Sequence, residues 1–182
     1  MPGHGRDLGS TPAWYKRLPP ALQRVAAASD RVTSLAFRPG PSLVRAVDEL
    51  VQVLPTGNVV EVQVRAQRIA DGVCTGFRVP PVWVRVAERR PHDARGELHG
   101  LYSPGSASAR DTITLWMLTA KRVQVVAART FIRTLLHELC HHLDYAHLNL
   151  RDSLHTRGFY QRESSLFAAI AGDRIDSAHL VR

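Results

Sequence analysis

All eleven prolines of this 182-residue chain lie at or before Pro104. A proline in a helix interior removes a backbone donor and costs about 3 kcal/mol. The stretch after Pro104 is free to form long helices, whereas the earlier part must turn often. Residues 1–20 hold three glycines and four prolines and read as a loose tail. A short helix is expected over 21–29. A better-marked one covers 42–54, where Leu43, Val47, Leu50 and Leu54 recur at helical spacing before Pro55 and Gly57. Residues 58–65 alternate, with Val60, Val62 and Val64 on one side, which predicts a half-buried strand. Val82, Val84 and Val86 repeat that pattern. Segments 97–102 and 112–116 flank a turn-rich loop and predict a hairpin. Residues 120–146 read as one long helix, and a last helix is expected from near Ser153 to about Ala171. Together these make an α+β fold: a small, mostly antiparallel sheet packed on a long helix, with a second C-terminal helix beside it.

Hydrophobic residues are 45% of the chain and charged residues 22%, which excludes an intrinsically disordered protein. Two cysteines, Cys74 and Cys140, exclude a disulfide scaffold and a zinc ribbon built on cysteine pairs. No run approaches the ~20 apolar residues of a membrane span, and the N-terminus has no apolar signal core. A cytoplasmic protein with no membrane partner is expected. The net charge is +8, and only Lys16 and Lys121 among the 24 basic residues are lysines. Such a charge admits a nucleic-acid partner. The arginine skew is equally what a GC-rich coding sequence would produce. The densest cluster, Arg85, Arg89, Arg90 and Arg95, straddles a proline turn and forms no stripe. No feature sets an oligomeric state.

The chemistry concentrates in His137-Glu138-Leu139-Cys140-His141, an H-E-x-x-H. Residues four apart on a helix lie one above the other, so two imidazoles can bind one metal ion from the same side. Glu138 beside them is placed to take a proton from a water that the metal activates. At 100° per residue, Thr130, Thr134, His137 and His141 share one face, and Phe131, Leu135, Leu139 and Leu143 lie on the other. One face enters the core and the other meets a cleft. Five of the nine histidines fall between 137 and 155.

A catalytic zinc takes three protein ligands and keeps a fourth position open. Three residues compete for the third place. His155 would sit in the first turn of the last helix, ahead of an inward stripe of Phe159, Leu166 and Ile170. Glu163 lies on that same stripe; it is a candidate ligand, a candidate partner for a ligand histidine, or an ion-pair partner of Arg129 or Arg133. His147 completes a longer H-E-x-x-H-x-x-D-x-x-H spacing through Asp144, which matches the metzincin pattern with Asp144 in place of glycine. That pattern requires a downstream methionine, and both methionines, Met1 and Met117, lie upstream. His155 is the strongest of the three. Cys140 and His142 read as packed structural residues.

The run LLHELCHHLDY followed by DSLHTRGFY resembles the zincin-type metallopeptidases, most nearly the SprT-like group. The resemblance covers about residues 100–170. His155 and Phe159 match the later histidine element of that group, with Thr156 where the group has glycine. It implies a zincin-like core over 96–182, with 21–95 as preceding helices and strands of unassigned role and 1–20 as the tail. It implies zinc held by His137, His141 and His155, with Glu138 as general base in peptide-bond hydrolysis. It also implies a strand beside the metal helix that pairs with extended substrate, here Ile113–Trp116. Tyr102, Arg157 and Tyr160 are candidate donors to the oxyanion. Two other functions fit the same residues: a metal-stabilised, non-catalytic binding module, and a DNA-associated protease acting on DNA-bound proteins.

Overall fold

The structure is a computed structural model that describes residues 13–93, 96–106, 108–172 and 175. The first twelve residues of the expected tail, His4 among them, lie outside the described residues, as does His179. The rest of that segment is not loose. Ala13–Lys16 forms α1, and the Tyr15 hydroxyl donates to the Gln23 carbonyl at 2.7 Å. Helices α2 (Pro20–Arg31) and α3 (Pro41–Val53) each begin with proline, which has no N–H to leave unpaired there. Helix α3 buries Leu43, Ala46, Val47 and Leu50, and a 3-10 turn over Leu54–Thr56 ends it at Gly57, whose φ of 72° suits a residue without a Cβ.

The strand expected over 58–65 is instead the start of a helix, α4 (Val59–Phe77). Val60 and Val64 are 68% and 39% exposed, while Val62 is fully buried. The three valines therefore do not share a face. The buried stripe runs through Val62, Ala66, Ile69, Ala70 and Val73 at helical spacing. Asn58 caps the helix by accepting from the Glu61 N–H at 3.2 Å.

Five strands follow: β1 (Trp83–Arg89), β2 (His92–Asp93), β3 (Gly96–Glu97), β4 (Gly100–Ser103) and β5 (Thr112–Leu118). Strands β2 and β3 form a small antiparallel pair, and the main sheet has the order β1-β5-β4. The expected hairpin is present as antiparallel β4 and β5. Strand β1, however, runs parallel to β5, so the main sheet is mixed and not mostly antiparallel. Apolar alternation specifies which face is buried and carries no information on strand direction. Val84 pairs with Ile113 and Val86 with Leu115, so one buried row lines the inner face. One contiguous apolar core joins this row to α3, α4, α5 and α6.

The two outer edges of the main sheet differ. Along β1, Gln67 on α4 accepts from the Val84 N–H at 2.7 Å and donates to the Val82 carbonyl at 2.9 Å. Gln63, one turn earlier, accepts from the Val86 N–H at 3.0 Å. Strand β4 forms the other edge and faces a cleft.

The long helix α5 (Ala128–Ala146) starts eight residues later than the expected Ala120. Residues 119–124 form a turn, with the Thr119 N–H donating to the Gln124 carbonyl at 2.9 Å and Val123 at a φ of 52°. A β-branched residue in that region cannot belong to a right-handed helix. Helix α6 (Arg157–Ile170) is capped by Thr156, whose hydroxyl accepts from the Phe159 N–H at 3.1 Å. His155 thus precedes the helix and does not lie in its first turn. Among the described residues no helix is long and apolar enough to cross a membrane.

One buried cation ties three helices together. Arg162 is fully buried and donates to both Asp144 carboxylate oxygens at 2.8 and 3.0 Å. It also donates to the Ser29 and Val32 carbonyls at 2.7 and 2.8 Å, which end α2. Removing one partner of such a pair leaves the other charge buried, at a cost of about 3–5 kcal/mol. Arg162→Met is therefore expected to lower the unfolding free energy by that amount in urea titration. A midpoint like that of the wild type would refute the role assigned to this pair.

Candidate metal centre

His137 and His141 stand on the face of α5 that is turned from the core, and the loop 147–156 brings His155 over them. The Nε2 atom of His155 lies 3.0 Å from Nε2 of His137 and 3.0 Å from Nε2 of His141. These three residues form a cluster whose ligand atoms all lie within 4.8 Å of one another. No fourth His, Cys, Asp or Glu joins it among the described residues. Phe159, in the first turn of α6, packs beneath all three rings, with centroids 5.0, 4.6 and 5.1 Å from those of His137, His141 and His155.

The hydrogen bonds behind the rings fix their tautomers. His137 Nδ1 lies 3.1 Å from the Glu163 carboxylate, which only accepts, so Nδ1 carries the proton. The Ser153 hydroxyl donates to Asp144 at 2.7 Å, so it accepts from His141 Nδ1, also at 2.7 Å. In the neutral rings both Nε2 lone pairs then point at a common spot. His155 Nε2 can offer at most one proton to these two acceptors, whereas a cation between the three nitrogens satisfies all of them. The donor set fits zinc, which favours imidazole nitrogen and, at a catalytic site, takes three protein ligands.

Burial reinforces the neutral state. The His141 pKa is pushed down to about 3, first by desolvation and then by the neighbouring charges of His137 and His155. His155 shifts down through desolvation and His137. Desolvation pushes the Cys140 thiol up, and its side chain lies in the core and outside the cluster.

The other candidates are distributed as follows. Glu163 is buried, and it holds His137 on one oxygen and the Arg133 guanidinium at 2.9 Å on the other. It orients His137 and is not in the cluster. His147 ends α5 and packs its ring edge-on to Phe77, 5.2 Å between centroids, which takes the metzincin spacing away from the site. His142 is fully buried, with Nε2 2.9 Å from the Pro80 carbonyl and Nδ1 3.0 Å from Asp111. Tyr102 donates its hydroxyl to Asp111 at 3.1 Å, so its phenol is engaged away from the cluster. Tyr160 lies against the His155 ring at 5.7 Å, and Arg157 shares a separate shallow depression with it.

Glu138 is 6% exposed, and one oxygen accepts from the Tyr102 backbone N–H at 2.8 Å. Desolvation raises its pKa, partly opposed by His137 and by that N–H. The Tyr102 N–H belongs to the edge strand β4. Ile113–Trp116, expected to be the substrate-facing segment, is in the central strand β5, paired on both sides. The exposed edge beside α5 is β4. Gly100 on β4 is required there: a Cβ would lie 2.6 Å from a Glu138 oxygen and 2.7 Å from Thr134 Cγ2. A cleft of about 850 Å³ opens between β4 and α5, with Leu98, Leu101 and Tyr102 on one wall and Thr130, Thr134 and Tyr145 on the other. Sequence inspection misses Ser153 and Gly100, because only the chain's path through the fold brings them to His141 and Glu138; Tyr145, one turn beyond His141 on α5, belongs to no motif. No protein-family model, curated protein or solved structure matches the chain.

Zinc content measured on purified protein is expected to be one ion per chain and to be lost in His155→Ala. It should persist in His147→Ala, and Glu163→Gln should weaken affinity about 10–100-fold. Zinc retained without His155 would dismiss the three-histidine site. A pH effect follows from His141. The unfolded imidazole protonates near pH 6.5 and the folded one near 3, so between those values the unfolded chain binds more protons. Stability of the metal-free protein should therefore fall as pH drops through that window. Urea midpoints at pH 7 and pH 5 measure it, and His141→Gln should shrink the difference.

Proposed function

We propose that this chain is a zinc-dependent peptidase of the zincin type, with SprT-like proteins as the group it resembles. Three histidine nitrogens converging next to a buried glutamate, with one coordination position left open, carry the proposal. When bound, zinc supplies Lewis acidity toward a water and a peptide carbonyl. His137, His141 and His155 would hold it, and Glu163 and Ser153 keep the first two rings in the required tautomer.

Glu138 acts as the proton carrier. Its raised pKa moves it toward the range in which a carboxylate can both accept a proton and return it. It takes the proton from the attacking water and delivers it to the leaving amine nitrogen. The Tyr102 N–H holds one of its oxygens, and Gly100 leaves space for the carboxylate. Apart from the Tyr102 N–H that Glu138 takes, the edge of β4 offers its backbone groups to an extended chain lying along the cleft. The apolar side chains Leu98 and Leu101 on that edge favour unfolded or extended protein segments over small polar molecules.

Hydrolysis of unfolded casein, abolished by chelator and restored by zinc, is the expected activity. Glu138→Gln should keep one zinc per chain and lower the rate at least about 100-fold. Cleavage by that variant at the wild-type rate would rule out the mechanism. A wild-type protein that holds zinc and cleaves no unfolded substrate would belong with the non-catalytic binding modules.

A further inference from the structure

Helix α2 packs chiefly on α6 and on α1. Among the described residues, none of its side chains belongs to the contiguous apolar core, and it buries only Ala26 and Ser29. Its hold on the fold is polar and lies in its last turn. The Asp30 carboxylate accepts from the Gly158 N–H at 2.7 Å. The Ser29 hydroxyl lies 2.8 Å from the Thr156 hydroxyl, and both residues are buried. The Ser29 carbonyl accepts from Arg162 at 2.7 Å. Thr156, Gly158 and Arg162 are the cap and the first two turns of α6. A helix start leaves backbone N–H groups without an intrahelical partner. Thr156 takes the one on Phe159, and Asp30, from a different helix, takes the one on Gly158. The negative charge of Asp30 also suits the positive end of the α6 dipole.

His155 adjoins this joint, and its ring is held differently from the other two. Nδ1 of His137 meets Glu163, and Nδ1 of His141 meets Ser153. Among the described residues, the polar contacts of the His155 ring run only to His137 and His141. Its remaining ring contacts are with Phe159 and Tyr160, both in the first turn of α6. The place of His155 is therefore set by its backbone, which runs directly into Thr156. Where α6 begins decides where His155 stands, and α2 holds that beginning.

We propose that the last turn of α2 is a positioning element for the metal centre. Ser29 and Asp30 fix the start of α6 and through it His155, so docking of α2 and binding of zinc reinforce each other. Such coupling is reciprocal: the factor by which docked α2 raises zinc affinity is the factor by which zinc favours docking. With α2 lifted away, the Gly158 N–H loses its acceptor and His155 is no longer held over His137 and His141. The segment before β1 thereby gains a part in the site. The proposal rests on the three-histidine reading and is independent of peptidase activity.

Zinc affinity of the full chain, measured by competition with a chromophoric chelator, tests it. Asp30→Ala should weaken affinity about 10-fold. Asp30→Asn, which keeps a carbonyl oxygen for the Gly158 N–H, should restore most of the loss. Asn58→Ala removes the cap of α4 and touches none of these residues; it should lower the urea midpoint and leave zinc affinity unchanged. Hydrogen exchange supplies a second readout. Zinc should slow exchange of the amides in the last turn of α2, and this protection should vanish in His155→Ala. Equal zinc affinity in wild type and Asp30→Ala overturns the proposal, as does exchange in α2 that ignores zinc. Equal weakening by Asn58→Ala would reduce the effect to general stability and overturn it too. A wild-type chain that binds no zinc at all overturns the three-histidine reading, and this proposal with it.

Discussion

Asp144 sits one turn beyond His141 on α5, and its carboxylate meets Arg162 with both side chains out of water. The pair is surrounded by further bonds in each direction. On the arginine side it reaches the end of α2 through the Ser29 and Val32 carbonyls. On the aspartate side it reaches Ser153, and through Ser153 the Nδ1 of His141. A charge placed in the core requires an opposite charge and hydrogen-bond partners, and here Asp144 and the end of α2 supply them to both terminal guanidinium nitrogens, leaving only Nε without one. The position of His141 is therefore coupled to the crossing of α2, α5 and α6. Gly158 enforces the same crossing. A Cβ there would come within 2.3 Å of the Ser29 carbonyl oxygen.

The histidine site was legible in sequence to the extent that helix geometry is fixed. His137 and His141 lie four apart on one helix, so their convergence needs no knowledge of the fold. His155 was legible as a residue but not as an element: Thr156 caps α6, and the histidine precedes it in the loop. Glu163 lies on the inward stripe as its spacing indicates, and only the approach of α6 to α5 decides that it holds His137 and Arg133 and stays out of the histidine cluster. Gly100 and the Tyr102 N–H could not be found in this way, because they reach Glu138 only through the pairing of β4 with β5.

The fold itself was read unevenly, for reasons that lie in the residues. Val60, Val62 and Val64 imitate a strand, and β-branched side chains reinforce the impression. The Asn58–Glu61 spacing was the contrary signal, since it marks a helix start. Strands β1 and β5 were each visible from alternation, yet their parallel alignment was not, because the direction of a neighbour is a property of topology alone. The loop before α5 hides a left-handed Val123 that no propensity would suggest.

The side-chain amides of Gln63 and Gln67 have a consequence beyond the packing of α4 on β1. They occupy the hydrogen-bonding positions of Val82, Val84 and Val86 that a neighbouring strand would need. An open sheet with two bare edges can join copies of itself edge to edge, and each addition regenerates a fresh edge. Here one of the two mating surfaces is stoppered from within the same molecule. A guest strand laid on β4 thus ends the sheet on that side, and no continuation from β1 is on offer. The protein can keep a sticky edge in its cleft without becoming the monomer of a fibre.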